Sequence, residues 1–216
     1  MTGIYWYVSR QKVDALLPEF GPRGFSLFKE LSLTLKAPFA EAKTSVNTDR
    51  SLFLHVGNIE NGLKSAGVTT DVSDAGSKPF FSFRGRAHRA VDSGAYFIVL
   101  AQNSTALLLA GSPTNAVGAP PKQSDDISPS ADPLGAVRRS FGELSDREGS
   151  QLGEMCSYIW DVLAGPVSQS WDALPEVEGI AVYGARFPPA KGQFSGAKFS
   201  DIDRIVIGTP IFVRQT

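Results

Sequence analysis

The sequence predicts a mixed α+β fold: a largely antiparallel curved sheet or partial barrel with two main helices packed on it. Three observations carry this. Strand-like alternation of apolar and polar residues occurs at both ends of the chain and in its middle. Two long segments between these strands repeat apolar residues at helical spacing, and the middle strands are joined by tight-turn residues, as antiparallel neighbours are. A chain of 216 residues can bury one substantial core, and its 42% hydrophobic and 20% charged residues fit a soluble globular protein. A single domain over residues 1–216 is expected.

Taken in order, Ile4 to Ser9 alternates with period two, placing Ile4, Trp6 and Val8 on one face and Tyr5, Tyr7 and Ser9 on the other. Ser9 or Arg10 opens a short helix with Val13, Leu16 and Leu17 at helical spacing, interrupted by Pro18 and by Gly21-Pro22. A short helix at Phe25 to Leu31 and a strand around Leu33 and Leu35 follow. The clearest helix starts at Thr48, a suitable N-cap, with Asp49 at the positive end of the dipole and Leu52, Val56, Ile59 and Leu63 as its stripe.

From Phe80 the chain is strongly β. Phe81 and Phe83 alternate with Ser82, Arg84, Arg86 and His88; YFIVLAQ and TALLLAG follow, separated by Asn103 and Ser104, which completes a three-stranded antiparallel meander. Residues 119–133, rich in Pro, Ser and Asp, read as a mobile surface loop within the domain. Ser145 to Glu148 (SDRE) has capping-box spacing and opens a helix striped by Leu152, Met155, Ile159 and Leu163, which Gly165-Pro166 ends. Two β segments, Gly179 to Phe187 and Arg204 to Val213, close the chain.

Composition narrows the function. A net charge of -1 argues against general attraction to nucleic acid or to anionic membrane. Cys156 is the sole cysteine, so no intrachain disulfide framework and no cysteine-based zinc site can form, and a reducing compartment is natural. The first residues lack the pattern of a signal peptide, and no apolar run approaches the ~20 residues that span a bilayer. A cytoplasmic location is expected. His55 and His88 have no metal-ligand spacing, and neither a phosphate-binding P-loop nor a dinucleotide fingerprint occurs. No metal and no cofactor are therefore expected, and His55 reads as an ordinary helix residue.

Four stretches remain as candidates for chemistry. Ser9-Arg10-Gln11-Lys12 has S-x-x-K spacing, in which a deprotonated lysine can activate a serine, but an N-capping Ser9 with a solvated Lys12 accounts for it. In FRGRAHR, alternation puts Arg84, Arg86 and His88 on one face at intervals of about 7 Å, a pattern suited to a phosphate or carboxylate, the default being a solvated sheet face. Gly85 marks a close approach or a bulge. GSPTNAVG, Gly111 to Gly118, offers backbone amides with Ser112, Thr114 and Asn115 to an anion, the default being a structural turn. Gly208-Thr209-Pro210 sits inside a strand pattern, as a bulge or edge does.

Three of these stretches, YVSRQKVDALLPEF, LLLAGSPTNAVG and IVIGTPIFV, together resemble an uncharacterised, mainly actinobacterial family of soluble proteins. That family has a strand-then-KVD-L-P opening, a Gly-Ser…Gly turn and a closing GTP-hydrophobic strand. The resemblance implies a complete single domain rather than a fragment, and it brings no activity or site residue to any position. Glu19, where an amide side chain is expected, and the basic strand Arg84 to Arg89 depart from its pattern.

The expectation for function is a cytoplasmic binding or regulatory module, without metal or cofactor, that holds a small anionic molecule or a partner protein. Its ligand-binding candidates are Tyr5, Tyr7, Ser9, Arg84, Arg86, His88, Ser112 and Asn115. The alternative is a cofactor-independent enzyme of small-molecule metabolism, of cyclase, isomerase or hydrolase type, with a shaped pocket drawing on Tyr5, Tyr7, Lys12, Asp14, Arg86 and His88. A third reading is an assembly subunit that forms a homo-oligomer. These readings turn on whether the Tyr5, Tyr7, Ser9 face meets Arg84, Arg86 and His88 across the sheet.

Overall fold

The alternating segments form six strands: β1 (Tyr5–Val8), β2 (Phe80–Asp92), β3 (Ala95–Gln102), β4 (Thr105–Gly111), β5 (Glu176–Phe187) and β6 (Arg204–Gln215). The computed structural model describes residues 4–20, 49–92, 94–118, 133–144, 152–190, 194 and 199–216. The strands lie in the order β1-β6-β4-β3-β2-β5, and β5 pairs again with β6, so the sheet closes into a barrel. All pairings are antiparallel except that of β4 with β6. Helices α1 (Arg10–Phe20), α2 (Asp49–Ser65), α3 (Pro133–Leu144) and α4 (Leu152–Ala164) complete the mixed α+β architecture. Among the described residues, no helix is long and apolar enough to cross a membrane.

Alternation sorts the core into three layers. Phe81 and Phe83 of β2, Ile98 and Leu100 of β3 and Leu107 and Leu109 of β4 fill the barrel, as expected where few strands enclose little space. On one flank Phe97, Val99 and Leu108 pack outward beneath α3, α4 and the 3-10 segment Gly165–Ala173, around Trp160 and Trp171. On the other, Ile180, Val182 and Phe212 pack against Val13 and Leu16 of α1 and Val56, Ile59 and Leu63 of α2. The barrel is thus clasped by two helical layers.

Closure depends on two inward positions without side chains. A Cβ at Gly179 would lie 2.3 Å from the Phe212 carbonyl oxygen and 2.7 Å from the Phe83 ring; one at Gly208 would lie 2.6 Å from the Val182 carbonyl oxygen. The register of β5 against β6 shifts beside them, between Ile180 and Ala181 and between Tyr183 and Ala185, and such bulges bend the strands to close the seam.

Several local expectations change. Helix α1 continues through an exposed Pro18 to Phe20 rather than stopping there. Ser9 occupies the N-cap position and its carbonyl accepts from the Val13 amide at 2.9 Å, but its buried hydroxyl meets no hydrogen-bond partner. Lys12 is buried, not solvated, because it lies on the same inward face as Val13 and Leu16. The Gly165-Pro166 pair ends α4 only as an α-helix, since a 3-10 segment starts there.

Helix α3 was not among the expected elements. Its sequence, PLGAVRRSFGEL, carries two glycines, which lower helix propensity, although Pro133 suits a first helical position. Of the expected loop 119–133, residues 119–132 lie outside the described residues. So do the expected helix and strand between Phe25 and Leu35, the Thr48 cap and the SDRE capping box.

Candidate functional site at the open end of the barrel

The opening strand does not keep its period. β1 pairs Tyr5 with Arg214 and then Tyr7 with Val213, so Trp6 is an extra residue and a bulge results. Trp6 and Tyr7 therefore both enter the barrel interior, whereas Tyr5 and Val8 join the layer beneath α1 and α2. Tyr5 and Tyr7 do not share a face.

Tyr7 is fully buried, stacks on Tyr96 at 5.8 Å between ring centroids, and its hydroxyl accepts from the Asn115 amide at 3.2 Å. Burial raises the Tyr7 phenol to about 12, against the opposing hydrogen bonds of Asn115 and the Ser112 backbone. The hydroxyl needs the room left by Gly111, where a Cβ would lie 2.3 Å away. Ser112 caps the short 3-10 turn Pro113–Asn115 by accepting from the Thr114 amide, and its hydroxyl lies 2.7 Å from that of Thr114. Tyr7, Ser112 and Asn115 are thereby brought together.

The same end of the barrel holds an arginine that the sequence reading did not place in the site. Alternation along β2 sets Arg89 on the inward side with Phe83 and Ala87, and its exposed guanidinium lies 4.8 Å from the centroid of the Trp6 ring. Tyr96 lies beside it; burial raises its phenol, the Arg89 guanidinium opposes this as a hydrogen-bond donor and as a charge, and the buried hydroxyl finds no acceptor for its own proton. Among the described residues, no carboxylate pairs with Arg89. A charged residue at a core-facing strand position was the signal available in the sequence.

β5 pairs with β2 only from Phe80 to Arg86, and past the Ala87 amide, which donates to the Pro175 carbonyl at 3.1 Å, β2 is paired with β3 alone, which leaves this end open on that side. Val91 stands opposite Tyr96 there, and the Val117 amide donates to the Trp6 carbonyl at 3.0 Å. Ile4, Val91 and Val117 are 69%, 55% and 40% exposed, and of the large apolar residues exposed among those described only Leu54, on α2, lies elsewhere.

Arg84 belongs to a different arrangement on the outside of the barrel. One transverse row crosses four strands, Arg84 opposite Glu178, Glu178 opposite Arg214, and Arg214 opposite Tyr5. Arg84 pairs with Glu176 at 2.7 Å, Arg214 with Glu178 at 2.8 Å through Nε, and Lys64 of α2 with Glu60 at 2.7 Å. Glu60, Lys64, Arg84 and Glu178 line a cleft of about 170 Å³ with Thr70, Ser82 and Gln102. Its cations Lys64 and Arg84, like Arg214 of the same row, face carboxylates, so the row ties α2 to the sheet and leaves little field for an anion. Tyr5 and Arg84 are thus the two ends of one row, while Tyr7 lies inside.

The remaining candidates stand apart. Arg86 donates to the Leu174 carbonyl at 3.0 Å, and burial lowers the pKa of the partly buried His88, which favours the neutral imidazole. Burial also brings the Lys12 amine down to about 7 and pushes the Cys156 thiol up to about 12. Among the described residues, no three His, Cys, Asp or Glu side chains converge as metal ligands would.

A family model described as a family of unknown function (DUF7019) matches residues 4–216, in keeping with the uncharacterised family that the sequence resembles. Comparison with curated proteins and with solved structures gives no match.

Proposed function

The chain belongs to this family of unknown function, and we propose from its own geometry that it is a binding module for a small anionic ligand received at the open end of the barrel. One observation carries the reading: an exposed Arg89 guanidinium rests on Trp6 with no carboxylate partner among the described residues, beside a buried Tyr96 hydroxyl whose proton meets no acceptor. A guanidinium held on an aromatic face keeps its N–H edge available for a bidentate contact with a carboxylate or phosphate.

Binding is favoured over acid-base catalysis at this end. Among the described residues, the titratable groups in contact with one another there are Tyr7, Tyr96 and Arg89; burial keeps both phenols protonated near neutrality, and a guanidinium does not give up its proton. Such a set can attract, orient and hold an anion.

A thermal-shift titration of the full chain with acetate, benzoate and inorganic phosphate tests the reading. Stabilisation of the wild type, lost in Arg89→Gln and kept in Arg84→Gln, is expected. No stabilisation by any anion, or stabilisation that survives Arg89→Gln, would overturn it.

A further inference from the structure

We infer that the ligand is an amphiphilic monocarboxylate, its head at Arg89 and its apolar body laid over the rim formed by Ile4, Val91 and Val117. This rests on the anion-binding reading of the same site. Two features of the rim distinguish such a ligand from a hydrophilic anion.

The first is charge. Arg89 is the one cation among the described residues that contacts Trp6 and Tyr96, so a single negative charge is matched and a phosphate dianion is left half-compensated. The planar guanidinium fork fits a carboxylate in two parallel hydrogen bonds, and the Tyr96 hydroxyl beside it supplies a donor whose bonding is unmet.

The second is apolar surface. Val91 is the cross-strand neighbour of Tyr96, Val117 is bonded through its amide to Trp6, and Ile4 precedes Trp6 by two residues, so the backbone brings all three to the end of the barrel where Arg89 lies. Isolated exposed apolar residues are ordinary, but three at one opening around an arginine form a patch of the kind that marks a binding surface. A hydrophilic anion leaves them in water, whereas an alkyl or aryl body covers them and tightens binding up to about fourfold per buried methylene.

Isothermal titration of the full chain with acetate, butanoate, hexanoate and octanoate, each below its micellar concentration, reads this directly, with octan-1-ol and octylamine as uncharged and cationic controls. Affinity is expected to rise by about two- to fourfold per methylene over the series, with octanoate at least about tenfold tighter than either control. In Val91→Ser/Val117→Ser, both substituted residues being exposed, the dependence on chain length should flatten while acetate affinity stays unchanged. Arg89→Gln, checked for fold by circular dichroism, should lose the preference for octanoate over octan-1-ol. Equal binding of acetate and octanoate, both abolished in Arg89→Gln, would overturn the amphiphile and leave the anion site standing. Binding of no carboxylate would overturn both, and octan-1-ol binding as tightly as octanoate would reduce the rim to an unspecific apolar patch.

Discussion

The Arg214 guanidinium lies fork to fork on the Glu60 carboxylate, Nη1 to Oε2 at 2.8 Å and Nη2 to Oε1 at 2.9 Å, joining the last strand to α2. Burial raises the Glu60 pKa, but hydrogen bonds from Lys64 and Arg214 outweigh it and hold the carboxyl below its usual range. A group depressed in this way adds stability that is present above its unfolded pKa and lost as the pH falls through its folded one.

Glu60→Gln and Arg214→Met are each expected to cost about 2 kcal/mol at pH 7, because each strands the opposite charge in a partly buried position. The double variant should cost clearly less than the sum. Urea unfolding of all four proteins at neutral and acid pH measures this, and strictly additive losses would show that the two side chains are not coupled. Glu60→Gln should also lose less stability than the wild type on acidification.

Gly111 and Tyr7 make a second, steric pair. A methyl group at position 111 meets the Tyr7 hydroxyl at 2.3 Å and its Cζ at 2.7 Å, and both residues sit in a packed interior that cannot yield freely. Gly111→Ala is expected to destabilise by about 1–3 kcal/mol. Tyr7→Phe in the same background removes the oxygen but not the ring, so recovery should be partial. A Gly111→Ala protein within about 0.5 kcal/mol of wild type in denaturant unfolding would contradict this packing.

What could be read from the sequence was local. The β2-β3-β4 meander was legible because Phe81, Phe83, Ile98 and Leu100 separate from their polar or outward neighbours residue by residue, and because Asn103 adopts the left-handed turn conformation at φ 53°. Helix α2 was legible because Leu52, Val56, Ile59 and Leu63 recur on one face, and all four are buried. Closure was not, since it depends on β6 pairing with β1, β4 and β5 from distant parts of the chain and on the seam at Gly179 and Gly208.

The site divides in the same way. Tyr7, Ser112 and Asn115 were singled out and do meet, but a strict period of two cannot contain the Trp6 bulge that parts Tyr7 from Tyr5. The row from Arg84 to Tyr5 needs the registers of three strand pairs, each set by tertiary packing. Arg89 was accessible by alternation alone, because it shares the parity of Phe83 and Ala87.

Cys156 offers a probe of the outer layer around Trp160. Its thiol is buried and raised to about 12 by that burial, which at pH 8 lowers the thiolate fraction by about a thousandfold relative to an ordinary cysteine. Labelling with a thiol-reactive disulfide reagent should therefore be slow in the native protein and fast in denaturant. Native labelling at a rate close to that of a free thiol would mean that α4 opens readily from the barrel.

Lys12 gives the strongest expected pH dependence. It lies on the buried face of α1, 4% exposed, and burial lowers its amine to about 7, whereas an unfolded lysine titrates near its ordinary value of about 10.4. Between these two values the unfolded chain binds more protons than the native one, so the contribution of Lys12 makes stability rise with pH. Below about pH 7 the cost of holding an ammonium group in the helix layer is fully present, and it fades as the pH climbs toward the unfolded value. Lys12→Met has no such titration. The stability of wild type relative to Lys12→Met, from urea unfolding at about pH 6 and about pH 9.5, is therefore expected to increase by about 2 kcal/mol or more. A constant difference across that range would mean that the amine keeps its ordinary pKa and that solvent reaches it in the native state.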